Sequence, residues 1–217
     1  MVGQGQAPLW DISAPVHPGS PVYPGDAPYE QQWCATLSAS CPVNLSVVRL
    51  SPHIGTHADA PLHYANTGAA VGALALEPFI GPCRVIHVMG CGPCVQWQHL
   101  AHAVADLPPR VLLRTYQQAP SHWDEHLTAV APETLERLAD AGVVLVGTDS
   151  ASIDPANSTT LPSHQVLQRR GLRVLENLLL DAVPEGDYEL IALPLRWMQA
   201  EAAPVRAILR RLPGKKP

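Results

Sequence analysis

Three histidines and one aspartate lie close together in the segment from residue 53 to residue 63. They are His53, His57, Asp59 and His63, and all four positions are odd. In an extended chain alternate side chains point to the same face, so these four groups are able to converge on one point. Imidazole and carboxylate are the usual ligands of Zn(II) and its neighbours, and Gly55 would let the backbone approach closely between two ligands. A solvated polar strand face is the alternative, but the shared parity favours a metal site.

A dithiol is the second candidate for chemistry, in the segment Cys91-Gly-Pro-Cys94. It follows a predicted strand and precedes a predicted helix, which is the context of the redox motif in thioredoxin-like proteins. Those proteins carry tryptophan immediately before the first cysteine, where this chain has Gly90. The sequence therefore favours a turn that holds two neighbouring cysteines over a redox site.

A third pattern, His122-Trp-Asp-Glu125-His126, matches the H-x-x-E-H motif of inverted zincins. That motif needs a helix, because only there do its two histidines share a face. Here it lies between a predicted strand that ends near Tyr116 and a predicted helix that begins near Pro132. We therefore expect a surface loop at this position, and no zincin site.

Length and composition limit the class of protein. The chain has 217 residues, of which 47% are hydrophobic and 15% charged, and its formal net charge is −5. These values predict one globular domain over residues 1–217. The acidic balance argues against a nucleic-acid partner, which requires a basic face. We expect no membrane span, since no run of about 18 apolar residues occurs. A start without signal-peptide character and an odd number of cysteines, five, predict a cytoplasmic protein.

Local patterns predict the elements that position these residues. The segment Pro132–Ala141 is predicted to be a helix, with proline at its start, Glu133 in its first turn and Gly142 as its stop. Further helices are predicted at 96–104 and 164–170, strands at 9–13, 43–50, 83–89, 110–116, 143–147 and 188–195, and an extended or irregular segment at 52–63. Strands that alternate with helices indicate an α/β fold, and the proline-rich N-terminal part is more typical of antiparallel pairing. The sequence thus predicts a mixed β-sheet core with flanking helices.

The histidine segment also carries a family resemblance. His-Ile-Gly-Thr-His-Ala-Asp-Ala-Pro-Leu-His at residues 53–63 closely resembles the H-x-G-[TA]-H-x-D-x-P-x-H signature of the bacterial cyclase-like metal-dependent hydrolases. Within that family the chain is similar to the kynurenine formamidases, or arylformamidases. The similarity extends to residues 9–13 (LWDIS), 24–26 (PGD), 41–44 (CPVN), 81–87 (GPCRVIH), 186–194 (GDYELIALP) and 204–209 (PVRAIL). It therefore covers nearly the whole chain.

The resemblance implies a cyclase-like (swivelling β/β/α) fold, a homodimer and two metal ions per subunit, usually Zn(II), with Mn(II) as the alternative. By the family's pattern His53, His57 and Asp59 hold the first ion, and Asp59 bridges to the second. The family's second histidine is followed twelve residues later by a bridging glutamate, and His164 and Glu176 have that spacing. On their own these two residues are typical of a helix start and a surface position.

The resemblance also implies an activity. The expected reaction is hydrolysis of N-formyl-L-kynurenine to L-kynurenine and formate in tryptophan degradation. Metal-activated hydroxide would attack the formyl carbon. His63 matches the family's general acid/base and would transfer the proton, and Tyr23 corresponds to an aromatic residue that contacts substrate. A related amide or lactam hydrolase, similar to isatin hydrolase, is the closest alternative, and a redox protein that uses the dithiol is a more distant one.

Two positions depart from the family's pattern. Before the second histidine, relatives tend to read Ser-Lys-Thr-Leu-Asp-(Ala/Ser)-His, whereas this chain reads Ser-Thr-Thr-Leu-Pro-Ser-His at residues 158–164. Thr159 replaces a lysine and Pro162 an aspartate. The expected ligands are retained, so the departures concern the loop near the second metal and the substrate range.

Overall fold

The computed structural model of the chain describes residues 8–212. Its strands are β1 (Leu9–Asp11), β2 (Glu30–Ala35), β3 (Leu45–Arg49), β4 (His57–Asp59), β5 (Ile80–His87), β6 (Cys94–Val95), β7 (Arg110–Arg114), β8 (Ala129–Val130), β9 (Leu145–Thr148), β10 (Arg173–Glu176), β11 (Gly186–Ile191), β12 (Ala202–Pro204) and β13 (Ile208–Arg211). Its α-helices are α1 (Pro61–Tyr64), α2 (Pro132–Asp140) and α3 (Pro162–Arg170). Between residues 8 and 212 no helix has the length and apolar character needed to cross a membrane. The expectation about a signal peptide concerns the start of the chain, where residues 1–7 lie outside the described part.

One mixed sheet organises the described residues. Nine strands pair in the order β1-β13-β11-β5-β7-β9-β10-β4-β12. The neighbours among β5, β7, β9 and β10 run parallel, and the strands on either side of this group pair antiparallel. The predicted α/β class with a mixed sheet is confirmed.

Both faces of the central strands are buried. Leu113 and Val146 pack on one face in a cluster that includes Leu135 of α2 and Leu167 of α3. Leu112, between its two neighbours on β7, packs into a second cluster on the opposite face. Burial on both faces explains why these strands are continuous apolar runs in the sequence rather than alternating ones. The buried centre of the sheet thereby supports the strands near its edge, which carry polar residues of the histidine segment.

The predicted helix at 132–141 is confirmed as α2, and the one at 164–170 as part of α3. The predicted helix at 96–104 is wrong, because only a 3-10 turn forms there, at Trp97–Leu100. The Arg84 guanidinium donates to the carbonyls of Ala103 at 2.9 Å and Ala105 at 2.6 Å. Those interactions fix the chain in an irregular path where a longer helix would have continued.

The segment 52–63 is partly extended, as expected, but its histidines do not all lie on one strand. Only His57–Asp59 forms a strand, and His63 lies in the short helix α1, which begins with Pro61. Gly55 adopts a left-handed φ of +62°, and a Cβ there would lie 2.6 Å from a methyl group of Val16. Shared parity therefore aligns only His57 and Asp59, which lie on the strand, and His63 reaches the same region through a helical turn.

Candidate metal centre

Strand pairing brings the carboxylate of Glu176 to the histidine segment. In the antiparallel pair β4–β10, His57 lies opposite Glu176 and Asp59 lies opposite Val174. Residues two apart on a strand share a face, and directly opposed residues share it as well. His57, Asp59 and Glu176 therefore project to the same side of the sheet. The sequence patterns alone did not predict β10, so only the family spacing indicated Glu176.

Asp59 lies between two histidines of the signature. Its Oδ1 is 3.0 Å from His53 Nδ1 and 3.3 Å from His57 Nε2. His57 and Asp59 are each about 1% exposed, whereas the His53 side chain is 19% exposed. Two imidazole nitrogens and one carboxylate oxygen thus converge at the buried end of a cavity.

His164 approaches the same carboxylates from the first turn of α3. Its Nε2 is 3.3 Å from Asp59 Oδ2 and 3.7 Å from Glu176 Oε1. Glu176 Oε2 in turn is 3.4 Å from His57 Nε2. Each carboxylate therefore presents one oxygen to His57 and the other to His164. Pro162, one of the two departures from the family's pattern, is the first residue of α3, where its fixed φ is well tolerated.

The donor set fits a metal cation. His57 Nε2 and Asp59 Oδ1 are buried and lack a hydrogen-bond partner. Leaving such groups unpaired costs about 1–3 kcal/mol each, and a bound cation would satisfy both. Two groups of three residues offer ligand atoms within 4.8 Å of one another, namely His53, His57 and Asp59, and Asp59, His63 and His164. The structure therefore provides the ligand types and the proximity that a metal ion requires.

The buried carboxylates of the cluster also favour positive charge beside them. Burial by itself would lower the pKa of His57, but the neighbouring carboxylates of Asp59 and Glu176 raise it to about 10. The pKa of His164 is likewise raised to about 10 against the effect of burial, chiefly by Asp154 and Asp59. Burial would raise the pKa of Asp59, yet its histidine neighbours hold it well below the ordinary value. Protons or a divalent cation are needed to balance the buried carboxylates.

Contacts outside the cluster orient its ligands. His164 Nδ1 donates to Asp154 Oδ2 at 2.7 Å, and His57 Nδ1 donates to the carbonyl of Gly55 at 2.9 Å. In both rings this leaves Nε2 facing the cluster, the arrangement seen in metal-binding histidines. The carboxylate of Glu201 lies 3.5 Å from the outer nitrogen of His53. Asp154 and Glu201 were missed in the sequence, where no spacing rule relates them to the histidines.

His63 lies at the open side of the cluster. Its ring centroid is 4.4 Å from that of His53 and 5.7 Å from that of His164. It is exposed, yet the surrounding groups displace enough water to lower its pKa below the ordinary value. It also lines the cavity that leads to the cluster. The four signature residues, His164 and Glu176 are thus all brought together.

A cavity of about 980 Å³ opens above the cluster. Tyr23 lines it and is 52% exposed, and its ring meets that of Trp123 edge-to-face at a centroid distance of 5.1 Å. The Tyr23 hydroxyl is 3.5 Å from the carbonyl of Ala156. The segment 122–126 is a loop, as predicted, and no helix aligns its histidines. The sequence did not predict that Trp123 of this loop lines the cavity, because a loop residue gives no periodic signal.

The dithiol is not arranged for thiolate chemistry. Cys91 and Cys94 are free thiols, and burial raises the pKa of each. Reactive cysteines require the opposite shift, because the thiolate is the nucleophile. These observations favour the interpretation of this segment as a turn with two neighbouring cysteines.

The chain is similar to known cyclases, kynurenine formamidases and metal-dependent hydrolases. Residues 10–155 match a family described as "Putative cyclase". A kynurenine formamidase of Paracidovorax citrulli is 67% identical over 207 residues, which are 93% of this chain and 96% of the relative. A solved structure described as a potential metal-dependent hydrolase with cyclase activity superposes with a TM-score of 0.81 at 28% identity, over 96% of this chain and 100% of the other. An isatin hydrolase bound to the product analogue thioisatinate shares the fold, with a TM-score of 0.80 at 22% identity over 94% of this chain and 92% of the other.

Proposed function

The chain belongs to the cyclase family and, within it, to the kynurenine formamidases, and we propose that it hydrolyses N-formyl-L-kynurenine to L-kynurenine and formate. It is a hydrolase whose reaction depends on a metal ion. The observation that carries the proposal is the pair of carboxylates, Asp59 and Glu176, each presented to two different histidines at the base of a cavity with an aromatic wall. Carboxylates that face two sets of histidines in this way are suited to holding two neighbouring metal ions, and two-ion sites occur in several classes of hydrolase.

Two ions are proposed, both Zn(II), with Mn(II) as the alternative. His53, His57 and Asp59 would hold the first ion, and His164 and Glu176 would hold the second together with Asp59. When bound, such ions lower the pKa of a water molecule towards neutrality and polarise a carbonyl group. The hydrogen bonds from His164 to Asp154 and from His57 to Gly55 support this arrangement, because they fix which ring nitrogen faces the carboxylates.

Residues of the chain itself would then transfer a proton to the departing nitrogen. An anilide anion is a poor leaving group, so the departing nitrogen must receive a proton as the formyl carbon–nitrogen bond breaks. His63 is assigned this transfer as general acid and base, and its position between the cluster and the cavity supports the assignment. Tyr23 is assigned to contact the aryl ring, since it is the exposed aromatic side chain on the same wall.

A homodimer is part of the proposal. Strands β2 and β3 form a two-stranded sheet of their own, and Trp33, Leu45 and Val47 on them are more than half exposed. Leu45 and Val47 share one face of this sheet, and Trp33, which lies opposite Ser46, is on the other face. An isolated hairpin is only marginally stable in water, and neighbouring exposed apolar side chains such as Leu45 and Val47 are typical of interfaces. A second copy of the chain would bury this hairpin. Light scattering should report a dimer for the wild type and a monomer for Val47→Lys, with Met198→Lys as the control on another exposed apolar residue.

The remaining assignments are a single hydrolase domain over residues 1–217 and a cytoplasmic location. The odd number of cysteines in the sequence, five, supports a reducing compartment.

The activity is tested by following N-formylkynurenine optically, with isatin as the competing substrate. We expect hydrolysis of the formamide with a kcat/KM at least ten times that for isatin. His63→Ala should lower kcat by about 10²–10⁴-fold while leaving the metal content unchanged. His126→Ala is the matched control, because that side chain is 88% exposed. Preferred turnover of isatin would replace the formamidase proposal with a lactam hydrolase, and full activity in His63→Ala would refute the role of this histidine.

A further inference from the structure

A tight turn presents Tyr23 to the cavity. The backbone N–H of Asp26 donates to the carbonyl of Tyr23 at 2.9 Å, and Gly25 has a φ of +100°. Proline at the second position and a glycine with positive φ at the third are the features of a type II β-turn, and Pro24 and Gly25 occupy those positions. The turn thereby sets the position of Tyr23 relative to Asp26.

The side chain of Asp26 binds the segment that leads into the proposed metal ligands. Its Oδ2 accepts from the Ser51 hydroxyl at 2.9 Å. The Ser51 hydroxyl oxygen in turn accepts from the backbone N–H of His53 at 3.3 Å, and the Ser51 backbone N–H donates to the carbonyl of Ala27 at 3.0 Å. Ser51 is buried, at 7% exposure. A short chain of hydrogen bonds therefore joins the turn that carries Tyr23 to the backbone of the first proposed ligand.

The two ends of this chain of hydrogen bonds are held differently. Strand β4, which follows His53, pairs with β10 on one side and with β12 on the other. Residues 14–29, which include the turn, form neither a helix nor a strand. The hydroxyl of Tyr23 reaches the carbonyl of Ala156 only at 3.5 Å. The histidine segment is therefore the fixed partner, and the position of the turn depends on its bonds to Ser51.

We infer that Asp26 is a positioning residue for the substrate: its bond to Ser51 holds Tyr23 where the aryl ring can contact it while the formyl group reaches the metal centre. The inference rests on the proposed function, in which Tyr23 contacts the aryl ring. Asp26 acts through Tyr23 and through the geometry of one hydrogen bond. Its own charge is not needed for this role.

Two variants separate the hydrogen bond from the charge. Asp26→Ala removes both, and it should raise KM for N-formylkynurenine about three- to tenfold, the range of one aromatic contact. The value of kcat should stay within about twofold, because contact with an unreacting ring contributes equally to the ground state and the transition state. Asp26→Asn removes the charge but keeps an oxygen that accepts from Ser51, so its KM should stay within about twofold of wild type. An equal rise of KM in both variants would show that charge, and not the bond, is responsible.

The same bond is also removable from its other end. Ser51→Ala deletes the donor, and it should raise KM for N-formylkynurenine by about as much as Asp26→Ala. Ser121→Ala is the matched control, because Ser121 is exposed and lines the same cavity. Its KM should match that of the wild type. A Ser51→Ala chain with an unchanged KM would refute the role of the Asp26–Ser51 bond.

A combined variant tests whether Asp26 acts through Tyr23. Tyr23→Leu removes the ring and should raise KM at least as much as Asp26→Ala does. The double variant should have a KM within about twofold of Tyr23→Leu alone, because the displaced turn no longer carries the contacting ring. Effects on KM that multiply would show that Asp26 acts independently of Tyr23, which would refute the inference.

Zinc affinity distinguishes positioning of the substrate from support of the metal centre. In competition against a chromophoric chelator, Asp26→Ala should bind Zn(II) like the wild type, whereas weaker binding would contradict a role confined to the substrate. If the wild type hydrolyses N-formylkynurenine and Asp26→Ala keeps its KM, the positioning role is refuted while the proposed function stands. If the zinc-loaded wild type does not hydrolyse it, both are refuted.

Discussion

Asp154 provides the sharpest test of how the metal centre is built, because it touches a proposed ligand without being one. It is fully buried, and it accepts from His164 Nδ1 at 2.7 Å and from the backbone N–H of Ser163 and His164 at 2.9 and 3.0 Å. Asp154→Asn keeps the size of the side chain but removes its charge and one acceptor oxygen. The ring of His164 would lose both its fixed orientation and part of its basicity.

The expected loss is about 10–100-fold in metal affinity, the range typical of a carboxylate that supports a metal-binding histidine. That range corresponds to about 1.4–2.7 kcal/mol. Competition for Zn(II) against a chromophoric chelator measures it directly on the metal-free chain. At saturating zinc we expect kcat to remain within about threefold of the wild type, since no group in contact with substrate is altered.

Asp140→Asn is the matched control, because the Asp140 side chain is 68% exposed and pairs with Arg170 on the surface. This variant should bind zinc like the wild type. An Asp154→Asn chain that folds normally and binds zinc with unchanged affinity would refute the idea that the Asp154–His164 contact tunes the site.

Three further outcomes follow from the structure. A Cβ at Gly68 would lie 2.2 Å from the backbone carbon of Pro61. Gly68→Ala should therefore lower the free energy of unfolding, measured by urea titration, by about 1–3 kcal/mol. An unchanged urea midpoint would show that the loop accommodates the methyl group without a cost in stability. Burial raises the pKa of Asp149 from 3.8 to about 6, so its contribution to stability is greatest below about pH 4 and is lost as the pH rises through 6. Relative to wild type, the free energy of unfolding of Asp149→Asn should therefore increase by about 2 kcal/mol between pH 4 and pH 7, and a constant difference would contradict the shift. Replacing both Cys91 and Cys94 by serine should leave formamide hydrolysis within about twofold of wild type, and loss of that activity in a normally folded chain would contradict the interpretation of these cysteines as parts of a turn.

Local signals predicted the parts of the fold that local forces decide. Helix α2 has proline at its start and a glycine stop, and the apolar run of β7 is buried on both faces, so both were visible in the sequence. The strand β10 was not predicted, because its four residues Arg173–Glu176 form a strand through pairing with distant segments. Its pairing with β4 places Glu176 opposite His57, which no local pattern shows.

The candidate site likewise contains residues that the sequence predicted and residues that it did not. Strand parity was a sound argument for His57 and Asp59, whereas His63 reaches the cluster from helix α1. The family resemblance supplied what spacing could not, namely His164 and Glu176. Residues that act through the folded surface, such as Asp154 behind a histidine and Trp123 on the cavity wall, leave no recognisable pattern in the sequence. They become visible only when the chain's distant segments are brought together.

The most direct test of the two-ion hydrolase is to remove the metal, verify its removal by elemental analysis, and titrate Zn(II) back while following N-formylkynurenine hydrolysis. We predict no activity in the metal-free chain and a rise that reaches its plateau at about two zinc equivalents per chain. A plateau at one equivalent would contradict the second ion that His164 and Glu176 are proposed to hold. Full activity after verified metal removal would contradict the metal-dependent mechanism altogether.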